Sequence, residues 1–197
     1  MKVTKIFKTE SAHIVRNCSS QRCSHSIHGH SAVIEVEMKS DTLDNAQMVY
    51  DFGLMSSFKQ FIDSLDHCYL LCKHDDEEFK EFIKKSCDRW IELPFNPSAE
   101  MLSLFIMAGC RHILKNTRKA NGEDNDLCVS GVTYHETATG RATCDRNDLS
   151  KIWDSEYDIN DVKFSDGITK EWNTPLYECM LDNNIIINPT IKKQINL

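Results

Sequence analysis

Two runs of alternating side chains, with a polar loop between them, constrain this chain more than any other feature. Residues 3–14 alternate loosely, Val3, Lys5, Phe7 and Thr9 against Thr4, Ile6 and Lys8, as a strand with one wet face does. Residues 30–38, His30-Ser31-Ala32-Val33-Ile34-Glu35-Val36-Glu37-Met38, form a second strand rich in β-branched residues. The stretch 16–27 between them is polar, carries Cys18, Cys23 and His25, and reads as a loop. Histidines stand at both ends of it, His13 closing the first strand and His28 and His30 opening the second. Side chains two apart on a strand share a face, so His28 and His30 point the same way. A third imidazole from the neighbouring strand completes the three-ligand set with one open position expected of catalytic zinc. Cys23 then has a chemical task, because a nearby cation favours the reactive thiolate.

The same segment offers a rival set. Cys18, Cys23, His28 and His30 supply two thiolates and two imidazoles, the closed site of a non-enzymatic module with structural zinc. Its spacings are wide for a zinc knuckle, and it leaves His13 unused. It also leaves two downstream pairs, Asp66-His67 and His135-Glu136, without a role. A carboxylate beside an imidazole orients it and raises its basicity for proton transfer. A histidine at a helix C-terminus is equally what the helix dipole favours. Glu136 stands just before a turn, where it is either solvated or free to hold the N–H donors of a ligand ring.

Further along, Asp51 is a suitable cap for a helix to about Leu65, on which Phe52, Met55, Phe58, Ile62 and Leu65 recur at three- and four-residue steps. Met48-Val49-Tyr50 reads as a short strand. Asp75-Asp76-Glu77-Glu78 followed by Lys80, Lys84 and Lys85 places acids first and bases last, as a short helix prefers. Trp90-Ile91-Glu92-Leu93 is a short extended piece. Asn96 is expected to cap a long buried helix, with Pro97 at its first position and Met101 to about Leu114 as its body. Residues 116–126 form a polar loop, and Leu127 to Thr137 and Arg141 to Asp145 flank the turn Ala138-Thr139-Gly140 as a hairpin. Strand, strand, helix, helix, strand, strand is an α+β order, with an antiparallel sheet covered on one face. From about Leu149 the character changes to short apolar clusters among acids and asparagines. The chain thus divides at 148 into a domain and an extension, 149–197, that packs on it.

Composition excludes several classes of function. At 197 residues and 41% hydrophobic the chain can form a core, and its net charge of −7 argues against nucleic-acid or anionic-membrane partners. No apolar stretch approaches the roughly 20 residues that span a bilayer. The charged N-terminus lacks the apolar core of a signal peptide, so a cytoplasmic protein is expected. The nine cysteines show no C-x-x-C pair. Cys68, Cys72, Cys87, Cys110, Cys128, Cys144 and Cys179 are read as small buried hydrophobes.

Ser11-Ala12-His13, Cys23, His28-Gly29-His30, Val49-Tyr50-Asp51-Phe52, Leu65-Asp66-His67, Asn96-Pro97-Ser98-Ala99-Glu100 and His135-Glu136-Thr137 together resemble the 6-pyruvoyltetrahydropterin synthase / 6-carboxytetrahydropterin synthase family over roughly residues 3–148. The resemblance implies the tunnelling fold (T-fold), an antiparallel four-stranded sheet with two helices on one face. Three such sheets join into a barrel, giving a homo-trimer or a hexamer. It implies zinc on His13, His28 and His30, Cys23 as general base, Asp66 and His67 as a proton relay, and Glu136 gripping the pterin ring and contributing to the relay. Ser98 stands where the family usually has a threonine and keeps the hydroxyl. The implied substrate is 7,8-dihydroneopterin triphosphate. Four residues separate Cys23 from His28, between the three typical of carboxy-forming members and the five of pyruvoyl-forming ones. The overall likeness favours a carboxy-forming lyase of the queuosine route, with a pyruvoyl-forming synthase as the alternative.

Overall fold

Strand β1, Lys2–His13, pairs antiparallel along its whole length with β2, His28–Lys39, so that His13 faces His28 and Ser11 faces His30. This computed structural model describes residues 1–119, 121–122, 126–189, 191 and 194–195. Positions 120 and 123–125 of the polar loop, and 190, 192, 193, 196 and 197 of the extension, lie outside the described residues. Strand β3 is Cys68–Cys72, β4 is Trp90–Leu93, β5 is Cys128–His135, β6 is Arg141–Asp145 and β7 is Lys163–Phe164. They form one seven-stranded sheet in the order β6-β5-β2-β1-β3-β4-β7. The four antiparallel strands expected from the alternation are its first four, and β3 and β4 extend it in parallel from the His13 end of β1.

Helices α1 (Ser56–Asp63) and α3 (Ala99–Lys115) cover one face. Ile34, Val36 and Met38 of β2 and Val132 and Tyr134 of β5 are fully buried there with Leu102, Phe105 and Ile106 of α3. The helices approach each other at Gly109, where the Phe61 ring lies 2.0 Å from the position a Cβ would take. Helix α2, Glu77–Ser86, takes the other face, because alternation along β3 sends Leu70 into the main core but Tyr69 and Leu71 against Ile83 and Phe79.

Several local expectations shift. Asp51 accepts from Gly53 N–H and caps only the short turn Phe52–Leu54, after which α1 begins. Met48 to Tyr50 is not a strand, although Val49 and Tyr50 are buried. Asn96 does not cap α3; Ser98 does, its hydroxyl accepting from Met101 N–H. Asn96 instead binds both backbone polar groups of Arg16, at 2.9 and 2.7 Å. Thr117–Arg118, expected in a loop, pairs in parallel with Ile186–Ile187. Cys87 and Cys128 are part-exposed, whereas Cys68, Cys72, Cys110, Cys144 and Cys179 are buried.

The residues after 148 join the same core through Trp153, Ile168, Trp172 and Leu176, with helix α4 at Thr174–Asp182. Phe164 of β7 packs its ring on Trp172 at 4.9 Å. No helix among the described residues is long and apolar enough to cross a membrane.

Candidate active site

The three histidines meet because β1 ends where β2 begins. The register places His13 directly opposite His28, and His30 follows two residues on, on the same face. Ring centroids are 4.6 Å apart for His13 and His28, 5.2 Å for His13 and His30, and 5.1 Å for His28 and His30. Their ligand atoms all lie within 4.8 Å of one another.

Backbone carbonyls fix how the rings face. His13 Nδ1 lies 2.8 Å from Pro97 O, and His28 Nδ1 lies 3.0 Å from Ser26 O. A carbonyl only accepts, so each Nδ1 carries the hydrogen and each Nε2 keeps its lone pair, as in metal-binding imidazoles held by an outer partner. Burial, with His28 and His30 close by, pushes the His13 imidazole down to about 4 despite the Pro97 bond, so it is neutral near pH 7. Nε2 of His13 and Nε2 of His30 are buried without a hydrogen-bond partner. Unsatisfied buried nitrogens are costly. Two of them aimed at one point, in a neutral nitrogen-donor set, fit a divalent metal of the zinc type.

Glu136, the residue directly after β5, reaches the same place. Its Oε1 is 3.7 Å from His13 Nε2 and 3.8 Å from His30 Nε2, too far for a hydrogen bond and close enough to border the site. A cavity of about 420 Å³ opens beside it, lined by Cys23, His28, Ser98, Glu100, Glu136 and Arg141. Cys23, part-exposed, sits on the one-turn helix Gln21–Ser24, and its carbonyl accepts from Val15 N–H at 2.9 Å. The rival zinc set is not assembled. Among the described residues the only converging group is the three histidines, while the Cys18 thiol donates to Ser20 O at 3.3 Å.

Asp66 and His67 form a pair, Nδ1 to Oδ2 at 2.8 Å, but His67 lines another cavity, of about 820 Å³, walled by Ala12, Tyr69 and Ile83. His30 touches the rim of that cavity, whereas Cys23 does not line it. His67 is highly exposed and left-handed, with φ 49°. Burial raises the Asp66 carboxyl, but the Glu10 N–H at 2.7 Å and His67 outweigh it, holding the acid below the usual carboxylate range.

Sequence reasoning missed the carbonyls of Pro97 and Ser26, since no side-chain signal marks a backbone acceptor. It also missed Glu100 and Arg141 on the cavity wall.

The family pattern for 6-pyruvoyl tetrahydropterin synthase matches residues 2–147. The chain belongs to this family. It is accordingly an enzyme of the tetrahydropterin synthase, lyase-type class. Two Helicobacter pylori proteins named 6-carboxy-5,6,7,8-tetrahydropterin synthase are 38% and 37% identical over 175 residues, 88% of this chain and 87% of theirs. An Aquifex aeolicus protein of the same name is 32% identical over 120 residues, 59% of this chain and 72% of its own. An uncharacterised protein from Wolinella succinogenes has the same fold with a TM-score of 0.60 at 22% identity, covering 74% of this chain and 98% of that one. The Caenorhabditis elegans 6-pyruvoyl tetrahydropterin synthase follows at 0.50 and 20%, covering 74% and 94%. These neighbours support the T-fold. The 175-residue alignments are longer than the family match, so the H. pylori likeness continues into the segment after 147.

Proposed function

We propose that this tetrahydropterin synthase is a zinc-dependent 6-carboxy-5,6,7,8-tetrahydropterin synthase, converting 7,8-dihydroneopterin triphosphate and water to 6-carboxytetrahydropterin, acetaldehyde and triphosphate for queuosine and related 7-deazapurines. The convergence of His13, His28 and His30 beside Cys23 and Glu136 carries this reading, and the H. pylori relatives of that name support the carboxy-forming product.

His13, His28 and His30 would hold the zinc, which supplies Lewis acidity toward substrate side-chain hydroxyls and the adjacent C–H. Cys23 takes the proton as general base from the cavity wall that it shares with His28. Glu136 grips N–H donors of the pterin ring and contributes to the proton relay, with Ser98 beside it on the same wall. Asp66 orients the His67 ring for proton transfer.

Cys23 and His67 line different cavities of one chain, which favours a homo-oligomer in which a neighbour's relay pair completes the site. Free sheet edges fit a trimer, or two stacked trimers. Along β1 only Ser11–His13 pairs with β3, and β6 pairs only with β5 among the described residues. The composition and the lack of a described spanning helix support a cytoplasmic enzyme without nucleic-acid or membrane partners.

Incubation of the zinc-loaded protein with 7,8-dihydroneopterin triphosphate, with chromatography of the pterins and an enzymatic assay for acetaldehyde, tests the reading. Equimolar acetaldehyde and carboxytetrahydropterin are expected. Pyruvoyltetrahydropterin as sole product, without acetaldehyde, would establish the pyruvoyl-forming alternative. No turnover of any dihydropterin triphosphate would refute both.

A further inference from the structure

Three consecutive residues of the C-terminal segment reach the end of α1. The Glu171 carboxylate pairs with the Arg89 guanidinium. Trp172 Nε1–H donates to Ser64 Oγ at 2.8 Å, and Asn173 N–H donates to Gln60 Oε1 at 2.9 Å. Trp172 and Ser64 are both buried, so this bond is shielded from water.

Arg89 carries the connection onward. Its Nε–H donates to Asp66 O at 2.9 Å, and its Nη2–H donates to Asp63 O at 2.8 Å. Both carbonyls lie at or just past the end of α1; Asp63 O also accepts from Asp66 N–H at 2.9 Å, and a planar guanidinium can bind two such acceptors at once. The turn they close holds His67 in the left-handed region, which is unfavourable for a non-glycine residue and persists only when its surroundings impose it. Glu10 N–H fixes the Asp66 carboxylate from β1, and Asp66 N–H holds the Asp63 carbonyl, but neither bond restrains the Asp66 carbonyl. Arg89 does, and Glu171 holds Arg89.

We infer that Arg89 is a positioning residue for the Asp66–His67 pair, locked in place by Glu171 and by the Trp172–Ser64 bond, so that the C-terminal segment sets the geometry of the relay. The inference rests on the proton-relay reading of that pair. It gives a task to residues that lie beyond the family match at 2–147. Arg89 borders the same cavity as His67, but in this role it acts through the turn.

The test uses the full-length, zinc-loaded enzyme and the variants Arg89→Ala, Trp172→Phe and His67→Ala. Trp172→Phe keeps the ring in the core and removes only the N–H donor, so it remains informative if Arg89→Ala folds poorly. Steady-state kinetics are read beside hydrogen exchange of the 60–69 segment by mass spectrometry. Arg89→Ala should lower kcat about tenfold to a hundredfold, the range that displacement of a catalytic group by about 1 Å produces, with KM within about twofold. Exchange in the segment should quicken, and millimolar guanidinium, unlike sodium chloride, should restore part of kcat. Trp172→Phe should change kcat and exchange in the same direction by less. Unchanged exchange in both variants overturns the brace. Faster exchange with wild-type kcat, while His67→Ala is inactive, overturns the positioning role. Full turnover in His67→Ala removes the relay reading, and the inference with it.

Discussion

Arg16→Ala should destabilise the protein by about 3 kcal/mol and slow turnover through the Cys23 loop. Arg16 Nε–H donates to Asp75 Oδ1 at 2.7 Å, Nη1–H donates to Ser24 O at 3.1 Å, and the guanidinium carbon lies 5.5 Å from the centre of the Phe79 ring. The Asp75 side chain is 2% exposed and that of Arg16 is 35% exposed. Removing one partner of a fully buried pair costs about 3–5 kcal/mol, because a charge is left uncompensated. Here Cys72 N–H still donates to Asp75 at 3.0 Å and water reaches the vacated side, which brings the figure to about 2–3 kcal/mol. Lost packing of the arginine stem on Phe79 adds a fraction of a kcal/mol. For a chain of this size about 3 kcal/mol lowers Tm by roughly 6–12 °C. Urea melts at one fixed protein concentration and metal content would measure it. Asp75→Asn placed on Arg16→Ala should recover about 1–2 kcal/mol, since the stranded charge is gone. Additive single and double variants, within about 0.5 kcal/mol, would refute the stranded-charge argument. Ser24 directly follows Cys23, so loss of its anchor should also lower kcat about tenfold.

Three further outcomes are expected. His13→Ala should lose bound zinc while Cys18→Ala retains it, as read by elemental analysis; the reverse pattern would restore the structural-zinc set. Cys23→Ala should keep its zinc and lose turnover, and limited iodoacetamide treatment should inactivate the wild type in step with alkylation of Cys23 by peptide mapping, whereas full activity with Cys23 alkylated would end its role as base. Gly109→Ala places a methyl group 2.0 Å from the Phe61 ring, so it should destabilise by about 1–3 kcal/mol in thermal melts, and Phe61→Leu should relieve part of that cost; a neutral Gly109→Ala would show that α1 and α3 are not in tight contact.

What the sequence revealed follows from how each element is buried. β1 and β2 each keep one wet face, so alternation marks them and fixes which face His13, His28 and His30 share. β3 is buried on both faces between β1, β4 and α2, so Cys68-Tyr69-Leu70-Leu71-Cys72 shows no period to read. The cap of α3 was misplaced by two residues for a related reason. Asn96 and Ser98 are equally good caps by type, and only the tertiary bond to Arg16 assigns Asn96 elsewhere.

The same distinction divides the site. Its metal half is local in the β1–β2 hairpin, where His28 follows His13 at a separation of fifteen residues and His30 stands two further on. Its orienting half is remote, since Pro97 O reaches His13 across 84 residues and Arg89 reaches the carbonyl of Asp66 across 23. The brace is about as remote, because Glu171 meets Arg89 across 82 residues. A residue pattern can announce which atoms do chemistry, because their types are few and their spacing is short. The groups that aim those atoms are carbonyls and salt-bridged arginines, types that occur throughout any chain. Only the folded positions of Pro97, Ser26 and Arg89 separate them from the rest.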